Sequence, residues 1–160
     1  MHKMKKHLFF DWGDTLMVDY PQYSGAMCTW PLITLAEGVA ALMPRLSEKY
    51  NCVVLSNAAE SDAELMRKAF ERVGTDRFFS RFLTSKELKA KKPDEMFFIN
   101  ALRKINAAAG ESVMIGNDYV KDIIPSKAVG LTTVFITDSK KAFPCADYTV
   151  NSFSGLDFLL

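Results

Sequence analysis

Short runs of almost purely apolar residues alternate along this chain with segments of helical period, and that alternation constrains the fold most. Leu8-Phe-Phe10, Cys52-Val-Val-Leu55, Ser112-Val-Met-Ile115 and Leu131 to Ile136 are such runs. Strands that short and that apolar are buried on both faces, as in parallel sheets. The first strand reads from His7 to Trp12, a further one from Phe79 to Thr84, and a short sixth from Tyr148 to Val150. Between them, Ala36 to Tyr50 reads as a helix with Val39, Leu42, Met43 and Leu46 on one face and Pro44 near its early turns. Ser61-Asp-Ala-Glu64 has the form of a capping box before Leu65, Met66, Ala69, Phe70 and Val73, with Gly74 as the stop. Pro93 opens the next helix, which buries Phe97, Phe98, Ala101, Leu102 and Ile105. Asp122 is the expected cap of a helix with Pro125 in its first turn and Gly130 at its end, and a helix from Phe153 closes the chain.

Strands and helices in this order imply right-handed βαβ units. The expected fold class is therefore α/β: a three-layer, Rossmann-like parallel sheet with helices on both faces. No repeat, low-complexity stretch or linker divides residues 1–160, which read as a single domain. Residues 13–33 hold Gly, Pro, Ser and aromatics without a period and read as a long loop.

Composition removes several functions. Lys plus Arg is 20 and Asp plus Glu is 19, a net charge of +1 at pH 7, without the basic excess of a nucleic-acid binder. No apolar run approaches the roughly 20 residues that span a bilayer. The basic start, Met1 to His7, leads into only three apolar residues, which is not the pattern of a signal peptide. The three cysteines, Cys28, Cys52 and Cys145, are an odd number with no Cys-x-x-Cys pair, and read as reduced thiols of a cytoplasmic protein. The two histidines, His2 and His7, lie at the start of the chain, so histidine triads and His-rich metal sites are excluded. Any chemistry falls to carboxylates, hydroxyls, lysine and a hard metal ion.

In open parallel sheets, ligands bind at the carboxyl ends of the strands. The residues there are Asp11 to Asp14, Ser56-Asn57, Thr84-Ser85 and Gly116-Asn117-Asp118. Phe9-Phe-Asp-Trp-Gly-Asp-Thr-Leu16 resembles the first motif of the haloacid dehalogenase-like (HAD) hydrolase superfamily, in which a strand ends in a nucleophilic Asp. Val53-Val-Leu-Ser56-Asn57 resembles the second motif. Lys92-Pro93-Asp94 resembles the third, and Met114-Ile-Gly-Asn-Asp-Tyr-Val-Lys-Asp122 the fourth. The resemblance covers nearly the whole chain, with four motifs in order at strand ends.

This resemblance implies a Mg²⁺-dependent phosphohydrolase that forms an aspartyl phosphate on Asp11. A divalent cation offsets the repulsion between carboxylate and phosphate, and Mg²⁺ suits an all-oxygen site. By resemblance its ligands are Asp11, the Gly13 carbonyl and Asn117, with Asp118 and Asp122 as compensating carboxylates. Ser56, Asn57 and Lys92 contact the phosphoryl group, and Asp122 also serves as a partner that holds Lys92. Two positions depart from the pattern. Gly13 stands where the family's phosphatases carry the acid/base Asp, leaving Asp14 as either a displaced acid/base or a turn cap. Asn117 replaces the first Asp of the fourth motif.

The segment after Asp11 is too short for the helical cap of many relatives, so a capless member with an open site is expected, residues 13–33 forming a loop over it. Tyr20, Tyr23, Met27 and Trp30 in that loop either line the mouth, make a homodimer contact or pack on the sheet. A phosphorylated substrate is the expected partner, with no nucleic acid and no membrane. A phospho-ligand-binding or regulatory domain without turnover is the alternative, favoured by Gly13, and a 2-haloacid dehalogenase ranks below it. A receiver domain is excluded, because its paired acidic residues precede the phosphoacceptor strand.

Overall fold

The computed structural model describes residues 4–160, so that His2 lies outside the described residues. Six strands form one sheet in the order β3-β2-β1-β4-β5-β6. They are β1 (His7–Phe10), β2 (Asn51–Ser56), β3 (Arg81–Thr84), β4 (Ser112–Gly116), β5 (Thr132–Ile136) and β6 (Tyr148–Val150), and every neighbouring pair is parallel. The chain runs outward from β1 through β2 to β3, then returns to the other side of β1 for β4. This reversal opens a crevice beyond the carboxyl ends of β1 and β4, the usual ligand position in such sheets.

Alternation along the strands fills two cores. Leu8, Phe10, Cys52, Val54, Val113 and Ile115 face one layer, made by α1 (Val39–Lys49), α2 (Ala63–Arg72) and the segment Phe153–Leu159. Phe9, Val53, Leu55, Leu83 and Met114 face the other, made by α3 (Ser85–Leu88), α4 (Glu95–Lys104) and the end of α5 (Ile124–Val129). The expected three layers are present.

Several boundaries differ from the sequence reading for local reasons. β1 stops at Phe10 because the Trp12 carbonyl turns inward to accept from the amides of Thr15, Leu16 and Met17. The cap of α2 is Asp62, which accepts from Leu65 N, while Ser61 is buried in the turn before it and Glu64 pairs with Lys68. Pro93 precedes α4, whose cap is Asp94. Pro44 lies inside α1. Asp118, not Asp122, caps a wide π-type turn, Tyr119–Ile123, which runs into α5. Gly130 ends α5 as expected, at φ 102°. The closing segment, Phe153–Leu159, is 3-10 rather than α-helical.

The loop after β1 is fastened down at both ends. Gly13 bridges Met17, Met17 bridges Leu35, and Val18 N donates to the Thr34 carbonyl at 2.9 Å. Further along, Arg72 of α2 donates to the carbonyls of Cys28 and Trp30 at 3.0 and 2.7 Å, around a short 3-10 turn at Met27–Thr29. Met27 and Trp30 are buried, whereas Tyr20 and Tyr23 are half-buried. Among the described residues no helix is long and apolar enough to cross a membrane. All three cysteines are free, and burial pushes the Cys52 thiol up to about 12.

The α3 turn, which the sequence pattern did not reveal, begins with a complete capping box. Thr84 accepts from Lys86 N, and the Glu87 carboxylate receives Thr84 N at 2.9 Å, the Thr84 hydroxyl, and Ala63 N of α2 at 3.0 Å. Burial pushes the Glu87 carboxyl up, but these donors outweigh it and hold it below its ordinary value. A carboxyl depressed on folding adds stability above its unfolded pKa, and that stability is lost as pH falls through the folded value. Glu87→Ala is therefore expected to cost about 1–2 kcal/mol at neutral pH. The deficit should shrink as the pH falls below the ordinary carboxylate range, measured by urea unfolding of both proteins along a pH series.

Candidate active site

Asp11 follows β1 directly, held by its amide to the Ile115 carbonyl of β4 at 3.0 Å. Lys92 reaches it from the loop before α4, with Nζ 2.8 Å from Asp11 Oδ1 and 2.7 Å from Asp122 Oδ1. Nζ also donates to the Leu55 carbonyl of β2 at 3.2 Å, so its three N–H groups are all used. The Lys92 side chain is 4% exposed and that of Asp122 1%, while Asp11 keeps 14% toward the cleft. Burial alone pushes the lysine down, but the Asp11 and Asp122 carboxylates outweigh it and raise Lys92 above its ordinary value, so the ammonium stays charged. Complete burial lifts Asp122 against the opposing pull of Lys92.

The backbone around this triad is shaped to fit it. Asn57, just after β2, clamps Lys92: its Oδ1 accepts from Lys92 N at 2.8 Å and its Nδ2 donates to the Lys92 carbonyl at 3.1 Å. The Lys92–Pro93 peptide is cis. Asp122 Oδ2 accepts from Asp118 N at 3.1 Å. Gly116 makes room for that carboxylate, since a Cβ there would sit 2.3 Å from Asp122 Oδ2 and 2.6 Å from its Cγ. Real atoms do not approach so closely, so the glycine at the end of β4 and the carboxylate one turn later form one unit.

A cleft of about 310 Å³ opens over Asp11, lined by Gly13, Asp14, Asp19, Ser56, Asn57, Lys92, Asn117, Asp118, Lys121 and Asp122. Every residue expected at the site from the sequence is thus brought to one place, but their tasks divide. Asn57 has both polar groups engaged by the Lys92 backbone, so it positions the lysine. Asp122 has both oxygens engaged by Lys92 and Asp118 N, which is the holding role rather than a ligand position. Asp118 Oδ1 accepts from Lys121 N at 2.9 Å as a turn cap. Asp14, exposed and at φ 58°, accepts from Asp19 N at 2.9 Å, the geometry of the turn-cap alternative. Ser56 Oγ accepts from Ala58 N at 3.2 Å, leaving its O–H to donate.

Three participants lie outside the residues singled out from the sequence. Thr15 is buried and donates from Oγ1 to Asn117 Oδ1 at 3.2 Å, joining the first motif to the fourth. Gly116 was visible only as a strand-end residue. Asp19 sits in the aperiodic loop, where no sequence signal marks it. Beside this cleft lies a second, of about 410 Å³ and more apolar, lined by Trp12, Gly25, Met27, Trp30, Ala58, Glu60 and Ser61. Gly13, Asp19 and Ser56 belong to the walls of both.

The first cleft carries five carboxylates against two ammonium groups, an excess that favours a cation. Among the described residues no three Asp, Glu, His or Cys side chains converge as a metal cluster. The available set is instead one carboxylate, Asp11, with the neutral oxygens of Gly13 and Asn117. Such a set fits a hard divalent ion that keeps several waters.

Fold and site together define a doubly wound α/β domain built around a strand-end aspartate and a buried lysine. A profile of the family described as haloacid dehalogenase-like hydrolase matches residues 3–136, and the chain belongs to that family. It is 36% identical over 89 residues to the glyceraldehyde 3-phosphate phosphatase of Methanocaldococcus jannaschii, covering 53% of this chain and 39% of that protein. It is 36% identical over 72 residues to the ribulose-1,5-bisphosphate 5-phosphatase of Halopiger xanaduensis, covering 45% of this chain and 30% of that protein. The matched stretch thus spans well under half the length of these relatives. The fold superposes on the putative HAD-hydrolase YfnB from Bacillus subtilis bound to magnesium, with TM-score 0.78 over 99% of both chains at 14% identity.

Removing the ammonium leaves Asp122 buried beside a second carboxylate. Lys92→Met is expected to cost about 3–5 kcal/mol, as for other buried pairs broken on one side. Lys92→Met with Asp122→Asn should recover a large part of that loss, measured by urea unfolding of the two variants.

Proposed function

We propose that this protein is a phosphohydrolase acting through an aspartyl-phosphate intermediate on Asp11. The observation that carries the reading is the ion triad at the switch point of the sheet: a carboxylate at the end of β1, gripped by a buried lysine and facing an open polar cleft. Phosphatase names among the relatives support the same chemistry. Lys92 orients one Asp11 oxygen, leaving the other toward the cleft, and its fixed charge offsets a phosphoryl oxygen bound there. The Ser56 hydroxyl donates to a second phosphoryl oxygen. Asp11, the Gly13 carbonyl and Asn117 are the proposed holders of Mg²⁺, with Asp118 beside them, and the ion, when bound, supplies charge neutralisation between carboxylate and phosphate. Thr15 fixes which way the Asn117 amide points. The neighbouring apolar cleft is the proposed seat of the leaving group, beneath the 13–33 loop, in a site without a separate cap.

Hydrolysis of p-nitrophenyl phosphate is expected to require Mg²⁺, to stop on adding EDTA, and to fall to background in Asp11→Asn with the fold intact by circular dichroism. The second reading, a phospho-ligand-binding domain, is favoured by Gly13, which carries no acid/base group. Under that reading Asp11 binds a phosphate analogue such as beryllofluoride but no turnover distinguishes wild type from Asp11→Asn.

A further inference from the structure

Gly13 leaves the site without a side chain at the place from which the leaving group would be protonated. Another carboxylate-bearing side chain lies beside that position. A Cβ built on Gly13 would lie 3.6 Å from Asp19 Cβ and 4.0 Å from Asp19 Cγ, so the Asp19 side chain runs alongside the point from which a side chain at position 13 would start. Those separations are ordinary van der Waals contact, and Gly13 has an unexceptional φ. A side chain there is sterically possible, and one arriving from six residues further along lies against its starting point.

The segment bearing Asp19 is fixed rather than loose. Its amide is bound by Asp14 Oδ1 at 2.9 Å. On its two sides, Val18 N is bound to the Thr34 carbonyl at 2.9 Å and the Tyr20 hydroxyl to Thr34 Oγ1 at 2.8 Å. The Asp19 side chain has no hydrogen-bond or ion-pair partner of its own among the described residues and is exposed at the wall common to the polar and the apolar cleft. In the proposed phosphohydrolase reading that wall separates a phosphoryl group over Asp11 from a leaving group over Trp12, Met27 and Trp30.

We propose that Asp19 is the general acid/base of this protein, a loop-borne carboxylate replacing the one missing at position 13, with Asp14 as the residue that positions it. The inference rests on the phosphohydrolase reading. In the first step an Asp11 oxygen bonds to phosphorus, the bond from phosphorus to the ester oxygen breaks, and protonated Asp19 gives its proton to that oxygen. An alcohol and the aspartyl phosphate result, and Asp19 is left as carboxylate. In the second step Asp19 takes a proton from water as its oxygen bonds to phosphorus. The bond to Asp11 breaks, releasing inorganic phosphate and restoring both carboxyl groups to their starting states.

The test uses two esters in magnesium buffer, p-nitrophenyl phosphate and glycerol phosphate, with wild type, Asp19→Asn, and Asp19→Asn combined with Gly13→Asp. Nitrophenolate departs without a proton and an alkoxide does not. Hydrolysis of the aspartyl phosphate needs the Asp19 base whichever ester formed it, so Asp19→Asn is expected to lose about 10²–10⁴-fold in steady-state turnover of both esters. It should still release a rapid burst of nitrophenol and accumulate a phosphoryl adduct, seen by mass spectrometry, from the aryl ester but not from glycerol phosphate. The double variant, with the carboxylate returned to position 13, should regain turnover of glycerol phosphate. Asp19→Asn turning over glycerol phosphate at the wild-type rate would overturn the assignment. So would equal losses on both esters with no burst and no adduct, the signature of a merely structural residue. If wild type itself shows no Mg²⁺-dependent, Asp11-dependent turnover of either ester, the phosphohydrolase reading fails and takes this inference with it.

Discussion

The ammonium of Lys92, buried between two carboxylates, is the constraint around which the rest of the site is arranged. A charge that deep in a protein is costly unless it is paired and its donors are all satisfied. Here each of the three N–H groups has a partner: Asp11, Asp122 and the Leu55 carbonyl. Each partner brings in a different strand or turn, namely the end of β1, the turn after β4 and the end of β2. The ion triad therefore joins the three elements that converge at the switch point, and Asn57 completes the grip by fixing the lysine backbone. The same arrangement leaves Asp11 as the member of the triad most open to the cleft.

Glycine at position 116 belongs to that constraint rather than to loop flexibility. Asp122 accepts from Asp118 N and from Lys92 while its carboxylate lies against the Gly116 backbone. A side chain at 116 would displace the carboxylate and break two bonds to a buried charge. The wide turn at Tyr119–Ile123 has the same origin, since it brings Asp122 inward where an ordinary helical start would leave it as an exposed cap. The sequence pattern of a cap and a helix with Pro125 in its first turn is real, but the cap is Asp118.

The architecture was legible because its signal is collective: strands buried on both faces must be apolar throughout, and the intervening helices must show a 3.6-residue period. The site was legible in outline because strand ends in a parallel sheet share one edge, so polar residues at four separate positions meet. What the sequence concealed depends on single bonds. Which carboxylate caps and which grips a lysine is decided by a turn of one residue more or less. Lys92 stands in the basic run Lys89-Ala-Lys-Lys92, and only its direction, inward to Asp122, separates it from its solvated neighbours. Ser61 to Glu64 satisfied the capping-box pattern, yet Asp62 made the cap, because Ser61 is drawn into the preceding turn. Asp19 had no pattern at all, lying in a loop whose path is set by pairing with Thr34 and Leu35 far along the chain.

The position of Asp19 also explains why Gly13 and Asp14 stand together. Asp14 adopts a left-handed backbone, a conformation that aspartate tolerates better than most residues. It uses its side chain to hold the amide of Asp19, so the turn and the loop beyond it are coupled through one hydrogen bond. A carboxylate at position 13 would start beside the Asp19 side chain, with its Cβ 3.6 Å from Asp19 Cβ, and the two like charges would repel. The two placements are therefore alternatives rather than additions. A chain that carries the carboxylate on the anchored loop is best served by the smallest residue after Trp12. In the proposed reaction this arrangement sets the acid/base group on the boundary between the polar and the apolar cleft, so loop position and leaving-group position are determined by the same few bonds.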